Sequence, residues 1–328
     1  MKILYSIQGT GNGHISRARE IVPLLQQYGE VELLISGTQS DVYLKQPINY
    51  KFHGFSFIFG KKGGVDHYKT WRAMNLPGFI RDMRKLPLKS YNLILNDFEP
   101  VTAWACKIRN IESVGLSHQA SFQSEKVPIP RAGNLGRLIL KHYAPSSHAF
   151  GFHFAPYDDF ISTPVIRSEI RNLVISSLDH YTVYLPAVDD RGLVPMLKQI
   201  DNVSWQVFSK HTKVAYQDGN VSVCPVNNEQ FNNSLASCQG LLTGGGFEGP
   251  SEALFLGKKL LVVPMNFQYE QQCNAFALEQ FDLPVIWTKT RNWIPIIKKW
   301  VKEEQKHKFD FPDQTAALIE KVVRQFAR

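Results

Sequence analysis

Four cysteines, far apart and without a CxxC pair, are all that the 328 residues contain. Cys106, Cys224, Cys238 and Cys273 therefore read as reduced structural thiols; neither a disulfide framework nor a cysteine zinc site fits their spacing. No apolar run approaches the roughly 18 residues that span a bilayer, and no leader pattern precedes the first strand. Cytoplasmic residence is the expectation, with a peripheral place at the inner membrane face as its variant. His148 and His153 share the stretch "SHAFGFHFAP", which alternates like a strand and offers no further ligands, so no metal is expected.

What is present is the composition of a globular protein, 44% apolar and 20% charged, in a chain long enough for two domains of about 150 residues each. The formal charge of +8 is uneven: residues 1–165 carry 19 Lys and Arg against 12 Asp and Glu, and residues 166–328 carry 18 against 17. The stretch 61–89 holds eight basic and two acidic side chains interleaved with Trp71, Met74, Leu76 and Phe79. It reads either as the solvated face of a helical insert or as a surface for an anionic partner, a membrane leaflet or a charged acceptor. Nucleic acid is not expected, because no RNA- or DNA-binding motif accompanies the charge.

Strand and helix signals alternate along the whole chain. In the first half "KILYSIQ", "VELLISG", "NYKFHGFSF", "YNLILND", "ESVGLSH" and "HAFGFHF" read as strands. Helices are expected at about 14–28, a short one near 41–45, the "PVTAWACKIRN" stretch and 132–143. Proline and mixed polar residues at about 155–170 mark a linker. The alternation then restarts with "HYTVYLP" and runs to two final helices at about 292–305 and 313–327. Such alternation predicts parallel sheets covered on both faces, hence an α/β chain of two doubly wound domains facing across a cleft.

Two glycine turns stand out. The first, Gly9-Thr10-Gly11-Asn12-Gly13, carries the chain from strand one into a helix opened by His14. Its GxGxG spacing is not the dinucleotide fingerprint, Ser36 and Gly37 stand where an acidic residue should meet a ribose, and no Gly-Lys-Ser/Thr follows. Small residues at Gly11, Asn12 and Gly13 let a ligand approach a helix start, whose free N–H groups favour negative charge. His14 is either a cap there or a neutral base. In "ILNDFEP", Asp97 and Glu99 end an apolar strand on the edge where α/β sheets bind ligands. Asp97 either orients the His14 imidazole or caps the helix near Pro100. His118 and Gln119 share that edge and are candidates to line an acceptor pocket. The second turn, Gly244-Gly245-Gly246, precedes a helix with Pro250 in its first turn, and its amides suit a diphosphate. Ser251 and Glu252 lie on that helix start, where a carboxylate is favoured whatever its use. Glu270 and Gln271 follow the next strand and suit sugar hydroxyls, or are simply polar residues of a helix start.

Together these stretches resemble the GT-B glycosyltransferases, especially those of the UDP-glycosyltransferase type and the peptidoglycan lipid-intermediate N-acetylglucosaminyltransferase. The likeness lies in the strand–"GTGNGH"–helix opening and in "GGFEGPSEALFLGKKLLVVPMNFQYEQQCNA", and spans nearly the whole chain. A bacterial and archaeal GT-B group with "DFEP", "HQ" and "GGFE..SEAL.LGK" elements is closer still. The resemblance implies two Rossmann-like domains: residues 1–163 for the acceptor and residues 164–312 for the nucleotide-sugar donor. The segment 313–328 would pack back on the first. It implies that Gly244, Gly245 and Gly246 face the diphosphate, that Ser251 and Glu252 lie at the donor, with Glu252 on the ribose, and that Glu270 and Gln271 hold the sugar. The base would be recognised by backbone near Pro225 and Val226. His14 is then the general base with Asp97 as its partner. The implied activity is transfer from a nucleoside diphosphate sugar, UDP favoured, to an acceptor hydroxyl, with inversion and without metal or cofactor. The basic, aromatic-bearing stretch 61–89, for its part, suggests peripheral contact with an anionic membrane or a lipid-linked or anionic acceptor. Where relatives have a histidine this chain has Thr243-Gly244, and Glu270 replaces aspartate. A sugar-nucleotide 2-epimerase of the same fold and a non-catalytic nucleotide-sugar-binding protein are the alternatives.

Overall fold

The computed structural model describes residues 1–37, 44, 46–54, 75–131, 133–266, 268–287, 290, 292–304 and 307–328. In its first half the elements run β1 (Lys2–Gln8), α1 (Asn12–Gln26), β2 (Glu30–Ser36), β3 (Tyr50–Phe52), α2 (Leu76–Lys85), β4 (Leu93–Asp97) and α3 (Pro100–Arg109). They continue with β5 (Val114–Ser117), a 3-10 turn (Gln119–Gln123), α4 (Asn134–His142), β6 (His148–Phe152) and β7 (Ile161–Ser162). These strands form one sheet of seven in the order β3-β2-β1-β4-β5-β6-β7, with every pairing parallel.

The second half runs α5 (Ser168–Arg171), β8 (His180–Tyr184), α6 (Asp190–Leu197), β9 (Ser204–Ser209), β10 (Tyr216–Asp218), β11 (Val221–Pro225) and α7 (Asn228–Ser237). After these come β12 (Gly240–Gly244), α8 (Glu248–Phe255), β13 (Lys259–Val263), α9 (Tyr269–Glu279), α10 (Ile294–Lys302) and α11 (Thr315–Phe326). Its six strands are ordered β10-β11-β9-β8-β12-β13 and are parallel except for the β10–β11 hairpin.

Each sheet reverses its winding beside its first strand, between β1 and β4 and between β8 and β12. The crevice beyond the carboxyl ends of strands at such a reversal is where open α/β sheets bind ligands. The first glycine turn leaves β1 there, and the second leaves β12 there. Strand alternation supplies the two cores of the first sheet: Ile3, Tyr5 and Ile7 face α1, while Leu4 packs on the other side with Ile94 and Val101. The first of these clusters continues through Val165, Ile166 and Phe247 into Leu235, Leu241 and Leu260 of the second half. α11 returns to the first sheet, placing Ile319, Val322 and Val323 in that cluster and Phe326 on His148, 4.4 Å between ring centroids. Asn92 fastens the last residue by accepting from Arg328 N at 3.1 Å and donating to Arg328 O at 2.9 Å.

Several expectations change in detail. The 155–170 linker contains β7 and α5, and β10 is a strand whose Tyr-Gln-Asp sequence carries no apolar alternation. The strand read at 49–57 is confined to Tyr50–Phe52, with residues 55–57 outside the described residues. The short helix near 41–45 lies almost wholly outside them, as does the 61–74 part of the basic stretch; its remainder contains α2, capped by Asn75 accepting from Gly78 N at 2.9 Å. Among the described residues no helix is long and apolar enough to cross a membrane.

Candidate active site

β1 and β4 pair with Ile7 opposite Asp97, so the first helical turn after Gly9–Gly11 lies over the end of β4. Gly11 makes that turn with φ of 95°, a conformation that disfavours a Cβ. His14 Nδ1 lies 2.7 Å from the buried Asp97 Oδ1, which can only accept, so Nδ1 is the donor of this pair and Nε2 is the ring nitrogen turned away from the carboxylate. Phe98 next to it has φ of 55°, a strained value for a bulky residue. That twist sends consecutive acidic groups to different tasks. Asp97 turns to His14, while Glu99 turns back and accepts from Val101 N and Thr102 N, each at 2.7 Å, capping α3.

Arg17, one helical turn after His14, completes the arrangement. Its Nε donates to Asp97 Oδ2 at 2.9 Å and its Nη2 to Oδ1 at 2.7 Å, a two-pronged bond. Its Nη1 donates to Glu248 Oε1 at 2.6 Å. Glu248 belongs to the first turn of α8, just after the second glycine turn. Tyr5 adds a bond to Asp97 Oδ2 at 3.3 Å. Burial alone would raise the proton affinity of Asp97, but Arg17 and His14 together hold its carboxyl below the ordinary value.

Three further contacts join the halves around this bridge. His118 stacks on Phe247 with centroids 3.8 Å apart and planes 6° from parallel, and its Nε2 is 2.7 Å from Asn274 Oδ1. Asn274 in turn donates to Gly245 O at 3.1 Å. Tyr269 lies on the backbone of Gly133 and Gly136 beside α4. Beyond the Cα atoms of Gly11, Gly246 and Gly249 there is open space, where an added methyl group would meet no described atom within 4 Å.

The residues singled out from sequence divide accordingly. His14, Asp97, Gly11 and Gly13 are gathered with the second turn. Asn12 starts α1, partly buried, and Gly244 ends β12. Gly245 is not a free donor: its N–H is bound to Gln271 Oε1 at 3.2 Å, and the same oxygen accepts from Met265 N. Gln271 therefore braces the turn with the oxygen expected to meet a sugar. Ser251 donates to Phe247 O at 2.7 Å within its own helix. Glu252 is buried and gripped by Arg167, which donates from Nε at 2.5 Å and Nη2 at 2.8 Å, in place of lying open for a ribose. Burial raises the carboxyl of Glu252 and Arg167 opposes it. Glu99 is sealed inside as a cap, and burial pushes its carboxyl up. His118 is buried, with Nδ1 donating to Phe152 O at 2.7 Å and its ring stacked on Phe247 of the other half. Gln119 is buried beside it, its Oε1 without a described partner. Glu270 is half-buried on the first turn of α9, and Val226 is exposed past β11.

Sequence reasoning missed Arg17, Phe247, Glu248 and Asn274. Arg17 left a trace as a charge within the apolar stripe of α1, and the other three stood within the quoted "GGFE" and "EQQCNA" stretches without a role assigned. Among the described residues no cluster of three His, Cys, Asp or Glu side chains is arranged to hold a metal ion.

The model of the family described as glycosyl transferase family 1 matches residues 1–301. No curated protein matches the chain. Solved structures share the fold across almost all of it. A UDP-glucosyltransferase from Polygonum tinctorium is 13% identical with a TM-score of 0.62, over 99% of this chain and 93% of that one. Acinetobacter baumannii MurG is 13% identical with a TM-score of 0.55, over 99% of both chains. The glycosyltransferase SsfS6 of Streptomyces sp. SF2575, complexed with thymidine diphosphate, is 10% identical with a TM-score of 0.61, over 100% and 96%. The two doubly wound sheets are thus those of the GT-B fold.

The buried carboxylate gives a pH signature. Because the folded state lowers the affinity of Asp97 for its proton, its ion pair contributes stability above the ordinary value of 3.8, and that contribution fades as pH falls through the folded value. Asp97→Asn is expected to cost about 3–5 kcal/mol near neutral pH, and the gap from wild type to narrow as the pH falls below 3.8. Urea denaturation across that range reads it; a gap independent of pH contradicts the assignment.

Proposed function

We propose the following reaction for a chain that belongs to glycosyl transferase family 1 and is a glycosyltransferase. A sugar passes from a nucleoside diphosphate sugar, with uridine diphosphate the favoured carrier, to an acceptor hydroxyl in one displacement with inversion. The acceptor oxygen bonds to the anomeric carbon, the hydroxyl proton moves to His14 Nε2, and the bond from that carbon to the diphosphate breaks. Its electron pair leaves with the nucleoside diphosphate. The observation that carries this reading is the His14–Asp97 bond of 2.7 Å, set directly against the turn that opens α8.

The leaving group has a place to go. Helix α8 begins without a side-chain cap, and space opens at Gly246, just before it, and at Gly249 on its first turn. Free N–H groups at such a start stabilise a departing diphosphate electrostatically, a fixed field that needs no metal ion. Gly246, Glu248 and Gly249 replace Gly245 in that task, since Gly245 N is bound to Gln271. This placement supports donor binding by the second half and acceptor binding by the first. The structural similarity to SsfS6, solved with thymidine diphosphate, supports the nucleoside diphosphate class.

A second feature bears on the acceptor. Leu76 and Ile80 are exposed on α2, lining a surface groove of about 570 Å³ with Arg81, Arg84 and Lys85. Apolar side chains ringed by cations suit an anionic lipid surface, which points to a lipid-linked or anionic acceptor.

His14→Ala is expected to lower turnover by about 10²- to 10⁴-fold while a thermal-shift titration with UDP still shows stabilisation. Full turnover in that variant removes His14 as the base, and absence of any shift across a panel of nucleoside diphosphates removes the donor class. Sedimentation with phosphatidylglycerol vesicles should occur at low salt and disappear at high salt. No binding at low salt ends the membrane reading.

A further inference from the structure

The proposed reaction uses His14 and Asp97 and leaves Arg17 without a part. Resting on the reading of His14 as the base, we propose that Arg17 is the positioning residue of the His14–Asp97 pair. We further propose that it holds the pair in working order only while Glu248 of the donor-side turn is docked on it. Seating of the second glycine turn then assembles the base.

The geometry supports each part of this. The Arg17 side chain is 2% exposed, so its charge must be met within the protein. Its fork holds both oxygens of Asp97 at 2.7 and 2.9 Å, which sets the carboxylate plane that presents Oδ1 to His14. Its Nη2 is also 3.0 Å from His14 Nδ1, so any shift of the guanidinium disturbs the imidazole directly. The Phe152 ring covers its face at 5.7 Å. Only Nη1 reaches the second half, at 2.6 Å from Glu248. Glu248 is 27% exposed, which makes it the one end of this bridge open to the cleft. Glycine at position 13 leaves room for this carboxylate: a methyl group there would stand 2.3 Å from Glu248 Oε2, so the side chain would have to shift.

The titratable and charged groups around the imidazole are Asp97 and Tyr5 from the first sheet, Arg17 from its own helix and Glu248 from the second half. Asp97 places negative charge on the ring, Arg17 places positive charge beside it, and Glu248 offsets the charge of Arg17. Removing Glu248's charge leaves Arg17 directed wholly at the pair, so the imidazole releases its proton more readily. Removing Arg17 exposes the ring to an uncompensated carboxylate, with the opposite effect.

The test is a nuclear magnetic resonance titration of the His14 ring in wild type, Glu248→Gln and Arg17→Met, without ligand. Glu248→Gln is expected to move the midpoint to lower pH and Arg17→Met to higher pH, each by about half a unit or more. The acidic limb of UDP release from UDP-glucose should move in the same two directions. An unmoved midpoint in Glu248→Gln, or displacement of both variants the same way, overturns the proposal. Should Arg17→Met fail to fold, Glu248→Gln alone decides, a downward shift supporting the coupling and no shift ending it. Ring titrations that behave as expected in a protein that turns over no nucleotide sugar leave the coupling standing and remove the reaction. Turnover with unmoved titrations does the reverse.

Discussion

A guanidinium sealed between two carboxylates sets the relation between the halves of this molecule. Arg17 comes from the helix that follows the first glycine turn, Asp97 from the neighbouring strand end, and Glu248 from the helix that follows the second turn. Breaking a buried pair by withdrawing one partner costs about 3–5 kcal/mol, because a charge is left without compensation. That is a large fraction of a typical domain's stability. The two turns therefore meet in a defined register, and the parallel stacking of His118 on Phe247 holds the neighbouring surface in the same register. Docked this way, the halves leave open the spaces at Gly11, Gly246 and Gly249.

The same economy of buried polar groups explains why so many acidic and amide side chains near the cleft are not available to a ligand. Glu99 satisfies the first N–H groups of α3, Gln271 braces Gly245 and Met265, and Glu252 is neutralised by Arg167 from the connection between the halves. Each would otherwise leave an unpaired donor or acceptor inside, at a cost of about 1–3 kcal/mol. In the proposed reaction the chemistry falls to the His14 imidazole and the uncapped start of α8. Phe98 contributes by its backbone: the left-handed twist at this one residue points Asp97 into the site and Glu99 out of it.

What could be read from the sequence was local. A strand breaking into glycines and then into a helix is written in consecutive residues, so both turns and the alternation that makes two parallel sheets were visible. Asp97 could be placed at a strand end near His14, but its choice between orienting the imidazole and capping a helix rested on the φ of Phe98, which no residue type announces. Arg17 and Glu248 lie 231 positions apart, and their complementarity exists only once the halves are docked. The pairing of Glu252 with Arg167 was hidden for the same reason, since the two lie 85 positions apart. β10 escaped because its three polar residues pair only at the sheet edge.

The central claim is that a nucleoside diphosphate lies between the two glycine turns, against the start of α8 and across from His14. A crystal structure with uridine diphosphate bound tests it most directly. The account predicts phosphate oxygens within hydrogen-bonding distance of the backbone N–H groups of Glu248 or Gly249, with His14 Nε2 facing the same space. Density for the nucleotide elsewhere, or with the α8 start facing no phosphate, contradicts it.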